Sequence, residues 1–110
     1  MAGYFRISTA ANGQFTFNLK AGNHEVILTS RMYDTMLAVR SAIEQVRQNS
    51  GTAARFERKV AKDNSPYFVL NDEEGQMIGR SEMYSSAAAM EIGIRSVMTN
   101  GASTIVKGPA

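Results

Sequence analysis

The sequence predicts an α+β fold: two tandem β3-α units plus a last strand, forming one antiparallel sheet with two helices packed on one face. Three observations lead there. The chain matches itself when slid by 51 positions (Phe5 onto Phe56). Each copy opens with runs of two-residue alternation between apolar and polar side chains. Each copy then carries an apolar stripe at spacings of three and four.

The self-match needs no gap. Phe17 falls on Phe68, Leu19 on Leu70 and Ile27 on Ile78. Ser30, Met32 and Tyr33 fall on Ser81, Met83 and Tyr84. Ile43, Val46 and Asn49 fall on Ile94, Val97 and Asn100. These identities divide the chain into pseudo-symmetric repeats at 4–53 and 55–108. Ser50-Gly51-Thr52 is too short to be a tether, so residues 1–110 are expected to form a single domain around a shared core.

Each repeat follows the same order of elements. Tyr4 to Ser8 alternates, with Phe5 and Ile7 on one side. Asn12-Gly13 signals a hairpin turn. Phe15, Phe17 and Leu19 then alternate with Thr16, Asn18 and Lys20, the period of a half-buried strand. Ala21-Gly22-Asn23 turns the chain into a third strand over Glu25 to Thr29. Asp34 and Ser85 are the predicted N-caps, with oxygens able to accept the free amides of a first helical turn. Met36, Val39, Ile43 and Val46 form one stripe; Ala87, Met90, Ile94 and Val97 form the other. Asn49 and Asn100 are expected to close the helices in the left-handed conformation. Gly93 falls mid-helix, where glycine costs about 1 kcal/mol against alanine; close approach of that turn to the sheet would account for it. Arg55 to Ala61 opens the second copy, and Ile105 and Val106 mark a short final strand. Two amphipathic helices cover one sheet face and leave the other to water.

Composition excludes several classes of chemistry. With no Cys there is no disulfide framework, thiolate nucleophile or Cys-ligated metal. One His leaves no imidazole cluster. No apolar run approaches the ~18 residues of a membrane span. Met1 to Arg6 lacks the charged start and apolar block of a signal peptide, so a cytoplasmic location is expected. Twelve basic and ten acidic residues give +2, a small excess that names no partner by itself.

The pattern Gly3-Tyr4-Phe5, Phe15-x-Phe17-x-Leu19-Lys20-Ala21, Ile27-x-x-Ser30-x-x-Tyr33 and Ile43-x-x-Val46-x-x-Asn49 resembles the YegP-like family of small uncharacterised bacterial proteins. The resemblance covers almost the whole chain. It implies a repeated β3-α-β unit in one sheet, with the strand after each helix exchanged between the copies. Pro66 departs from the family's aromatic, and Leu37-Ala38-Val39 lacks its polar residues. The resemblance implies no activity, cofactor or catalytic residue.

The residues themselves name no catalytic group, no metal ligand and no cofactor. His24 beside Glu25 could form a general base, but the second copy has Gly75 there, which points to an exposed turn. Asp72-Glu73-Glu74-Gly75 lacks the ligand ladder of a calcium loop. Ser-x-x-Tyr recurs at Ser30 and Ser81, as expected if both copies build the same corner. Arg58 occupies the position of Ile7 and breaks the inward alternation. The open sheet face is the candidate surface. Alternation places Tyr4, Arg6, Asn18, Arg55, Lys59 and Tyr67 there, beside Thr16, Glu57 and Val69. The expected function is a non-enzymatic binding or accessory module that takes a protein partner on this face. The alternative is a single-stranded nucleic acid stacked on Tyr4 and Tyr67. No membrane association is expected, and the chain should be a monomer or weak homodimer.

Overall fold

A computed structural model describes residues 3–109. Alternating apolar side chains draw each repeat into a three-stranded antiparallel meander. The first holds β1 (Tyr4–Thr9), β2 (Phe15–Lys20) and β3 (Val26–Ser30). The second holds β4 (Phe56–Val60), β5 (Pro66–Asn71) and β6 (Met77–Arg80). Helices α1 (Met36–Asn49) and α2 (Ala87–Asn100) follow their meanders, and β7 (Val106–Lys107) comes last.

The strand order is β4-β5-β6-β3-β2-β1-β7. The meanders meet where Thr29 pairs with Arg80 and Ser30 with Gly79. Thr29 and Arg80 are repeat equivalents, so a pseudo-twofold axis passes between them. A Cβ on Gly79 would lie 3.0 Å from both Leu28 Cγ and the Thr29 carbonyl oxygen, so glycine permits the approach. In the helix layer Ser50 lies against Gly101, again repeat equivalents. A Cβ on Gly101 would overlap the Ser50 side chain.

One expectation needs correction. β7 pairs parallel with β1, Phe5 opposite Val106 and Arg6 opposite Lys107, so the sheet is mixed rather than wholly antiparallel. A hairpin would impose antiparallel pairing, but here the rest of the chain separates the two partners. The strand after α1 lies with the second meander and the strand after α2 with the first, the exchange expected from the family resemblance. Among the described residues nothing pairs with the outer edge of β4.

That difference explains Arg58. In β1, Ile7 is buried between β2 and β7. In β4 the same position is on an edge. Arg58 turns toward the helix layer, where its guanidinium grips Glu91 of α2 with two hydrogen bonds, one of them 2.7 Å from Nη2 to Oε1. The Arg58 hydrogen bonds hold the Glu91 carboxyl below the usual carboxylate range. A charge pointing inward at a sheet edge discourages another strand from adding.

The core lies between the sheet and both helices. Phe5, Ile7, Phe17, Leu19, Phe68 and Leu70 meet Val39, Ile43, Val46, Met90, Ile94 and Val97. Each helix crosses the boundary between the repeats: α1 packs on β2 but also on β5 and β6, and α2 packs on β5 but also on β3 and β2. Phe5–Phe17 and Phe56–Phe68 repeat the same edge-to-face contact, each worth about 0.5–1.5 kcal/mol beyond burial.

The helix ends differ in detail from expectation. The capping oxygens belong to Thr35 and Ser86, which accept from the Ala38 and Ala89 amides. The extended backbone falls at those residues, one beyond Asp34 and Ser85, and Asp34 instead accepts from the Gln14 side chain. Ser50 and Gly101 stay right-handed at φ −65° and −66°. Asn49 and Asn100 therefore close the helices with side chains rather than left-handed backbone. Each Nδ2 donates to the carbonyl four residues back, Gln45 or Ser96. Each Oδ1 ties the end to a neighbouring segment, accepting from Arg55 Nε at 3.0 Å or the Gly3 amide at 3.1 Å.

Gly93 is explained by a ring rather than by the sheet. A Cβ there would overlap the Tyr84 hydroxyl and ring. Burial, followed by Glu82 and Glu25, pushes the Tyr84 phenol above its usual value.

Two outcomes follow from these contacts. Gly93→Ala should lower the urea midpoint, because overlap costs about 1–3 kcal/mol against a helix-propensity gain of about 1 kcal/mol. The loss should shrink in a Tyr84→Phe background; a Gly93→Ala protein more stable than its parent would contradict the packing described. Arg58→Ile should yield concentration-dependent oligomers on size exclusion, whereas unchanged elution at high concentration would remove the guarding role from Arg58.

Candidate binding face

Strand register builds the face turned away from the helices. One row crosses the whole sheet: Lys107, Arg6, Asn18, Thr29, Arg80, Val69 and Glu57. Beside it, Tyr4 stands opposite Lys20 and Tyr67 opposite Lys59. The strands thus present five cations across the face, Arg6, Lys20, Lys59, Arg80 and Lys107, and one carboxylate, Glu57, at the β4 edge. That carboxylate is engaged, 3.4 Å from Lys59 Nζ and accepting from the Asn71 amide at 3.2 Å. Among the described residues neither Arg6 nor Arg80 joins an ion pair.

Of the six residues expected here, Arg6, Asn18, Lys59 and Tyr67 stand on the face and are at least partly exposed. Asn18 accepts from the Thr29 hydroxyl at 3.1 Å. Tyr4 shares the face but not the exposure, with 8% of its surface accessible. Lys107 Nζ sits 4.4 Å from its ring centroid, and its hydroxyl shares a 2.9 Å hydrogen bond with His24 Nδ1. His24 adopts φ 69° where the second repeat has Gly75 at φ 84°, and this turn brings its imidazole to Tyr4. Arg55 lies off the face. It ends a 3-10 turn at Ala53–Arg55, and Asn49 captures its guanidinium before β4 begins.

The recurring serines are structural. Ser30 Oγ accepts from the Phe17 amide and donates to the Arg31 carbonyl; Ser81 Oγ does the same with Phe68 and Glu82. Both hydroxyls are committed to backbone at the strand ends.

A cleft of about 350 Å³ opens on this face beside the pseudo-twofold axis. Thr29, Ser30, Arg31, Lys59, Tyr67, Val69, Met77 and Arg80 line it. No local spacing marks Arg31 and Arg80, because the cleft draws on separate strands. The readable signal was the repeat itself. Lys59, Tyr67 and Arg80 stand where the first copy has Ser8, Thr16 and Thr29. Among the described residues no three His, Cys, Asp or Glu side chains converge on a metal position, and no helix is long and apolar enough to cross a membrane.

The family model for DUF1508, a domain of unknown function, matches the chain twice, over residues 10–57 and 61–107. The chain belongs to the DUF1508 family. Among curated proteins, this DUF1508 chain is 49% identical over 107 residues to a UPF0339 protein of Shewanella oneidensis, covering 97% of each. It is 47% identical to the UPF0339 protein YegP of Yersinia pestis, over 96% of this chain and 94% of that one. Among solved structures it is similar to the solution structure of an E. coli protein of unknown function, yegP. The TM-score is 0.92 at 45% identity, over 97% of this chain and 92% of the other. The solution structure of a UPF0339 protein from Shewanella oneidensis gives a TM-score of 0.91 at 48% identity, over 97% and 91%. DUF1508 proteins thus share this α+β fold, and the function of the family is unknown.

The burial of Tyr4 changes what its substitution should do. Tyr4→Ala should cost about 3 kcal/mol of stability, as large-to-small changes at buried aromatics do. His24→Gly should cost less than about 1 kcal/mol, because glycine relieves the left-handed backbone there. Urea unfolding reads both, and an unchanged midpoint for Tyr4→Ala would contradict the covering by Lys107 and His24.

Proposed function

We propose that the protein is a non-enzymatic binding module whose open sheet face takes an acidic, extended segment of a protein partner. The observation that carries this reading is the charge of the face. Arg6, Lys20, Lys59, Arg80 and Lys107 are spread across the strands of this face, while the strands' one carboxylate there, Glu57, stands on the β4 edge and is engaged by Lys59, on a chain whose net charge is only +2. A face rich in charges of one sign steers an anionic partner and fixes its register.

The burial of Tyr4 favours a protein segment over a nucleic acid. Sheet platforms for single strands stack successive bases on exposed aromatic rings. Here Lys107 and His24 cover Tyr4, which leaves Tyr67 as the accessible one of the two expected rings. Catalysis has little to build on. The Tyr4–His24 pair has its tyrosine buried, and the Ser30 and Ser81 hydroxyls serve the backbone.

The test is a fluorescence titration with a labelled glutamate-rich peptide and, separately, oligothymidylate, at low and at physiological salt. Saturable peptide binding at low salt is expected, weakened by added salt and about threefold or more by Arg6→Gln or Arg80→Gln. Tighter binding of the oligonucleotide, lost in Tyr67→Ala, would transfer the face to nucleic acid. Failure of both ligands to bind would remove the reading.

A further inference from the structure

We infer that the cleft beside the pseudo-twofold axis is a subsite for a small organic dianion, a phosphate monoester carried on a compact apolar or aromatic body. This rests on the reading of the open face as the binding surface and names the chemistry of the cleft within it. A volume of about 350 Å³ lies within the range of small-ligand clefts.

The charges around the cleft set the charge of the ligand. Lys59 shares its ammonium with Glu57 at 3.4 Å. Arg31 and Arg80 have no ion-pair partner among the described residues. Two uncompensated guanidinium groups match a dianion better than a single carboxylate. Their planar forks suit the oxygens of a phosphate, which can accept paired hydrogen bonds. Arg31 reaches the cleft from the corner after β3, where its Cζ lies 5.3 Å above the ring centroid of Tyr33, outside the cleft lining.

The rest of the lining sets the body of the ligand. Val69 is buried, Met77 is 41% exposed and Tyr67 is partly exposed, so apolar surface adjoins the cations. Inorganic phosphate would satisfy the arginines and leave that surface wet. A phosphate on an apolar body would use both.

The duplicated fold supplies an internal control. The first repeat builds the same strands with Ser8, Thr16, Asn18 and Thr29 at the positions of Lys59, Tyr67, Val69 and Arg80, and Glu82 is the counterpart of Arg31. The scaffold therefore does not require the cationic and aromatic set. One half of the face has it and the other does not.

Amide chemical-shift titrations of the full chain test the assignment. Phenyl phosphate should give saturable shifts confined to the cleft lining and its strand neighbours: Thr29–Arg31, Lys59, Tyr67–Val69 and Met77–Arg80. Inorganic phosphate should bind at least threefold more weakly, and phenol should not bind. Arg80→Gln and Arg31→Gln should each weaken phenyl phosphate about tenfold, with Arg80→Lys recovering part of the loss. Arg40→Gln, an exposed change on α1 in the helix layer, should leave phenyl phosphate unaffected. Absence of saturation, shifts spread evenly over the face, or full affinity in Arg80→Gln would overturn the subsite. Tighter binding of phthalate would overturn its assignment to phosphate. Loss of the subsite with acidic-peptide binding retained would leave the wider reading standing, whereas peptide failure with phenyl phosphate bound would do the reverse.

Discussion

Two residue pairs, Thr29 with Arg80 and Ser30 with Gly79, carry the junction of the two meanders. Each backbone hydrogen bond in such a ladder contributes a net of about 0.5–1.5 kcal/mol, too little to hold the halves together alone. The helices supply the rest. Both cross the junction, so Leu28, Ile43, Leu70, Ile94 and Val97 belong to one core. Burial of each such side chain contributes about 1.5–3 kcal/mol, and together these outweigh the ladder. The glycines follow from this closure: Gly79 lets the strands meet, and Gly101 lets the helix ends meet.

The same closure leaves the two sheet edges unequal. β7 covers β1, so Ile7 is an interior residue, whereas β4 is bare and carries Arg58 at the equivalent position. A difference between two otherwise matching repeats is thus a record of environment. It reads as edge protection at Arg58 and as surface specialisation at Lys59, Tyr67 and Arg80.

Most of the architecture was legible because it rests on local periodicity. Alternation at Phe15, Phe17 and Leu19 and the stripe through Val39, Ile43 and Val46 report which face each residue presents, and the repeat supplies the second copy. What alternation does not report is what covers a residue. Tyr4 was placed on the correct face, but the groups that bury it, His24 and Lys107, come from a turn and from the far end of the chain. Alternation carries Arg55 into a strand, because nothing local shows that Asn49 captures it. The direction of β7 was hidden for the same reason, since its partner is the first strand. The open-face surface was legible in outline and its cleft was not, because Arg31 and Arg80 converge only after the meanders join.

A pseudo-twofold axis through a duplicated chain is the geometry of a symmetric dimer with its subunits fused. In a true dimer each substitution is made twice, once on either side of the axis, and assembly depends on protein concentration. Covalent fusion removes both conditions. The partner half is always present at high effective concentration, and a change such as Thr29 against Arg80 affects one side only. Fusion thereby lets a symmetric scaffold carry an asymmetric surface.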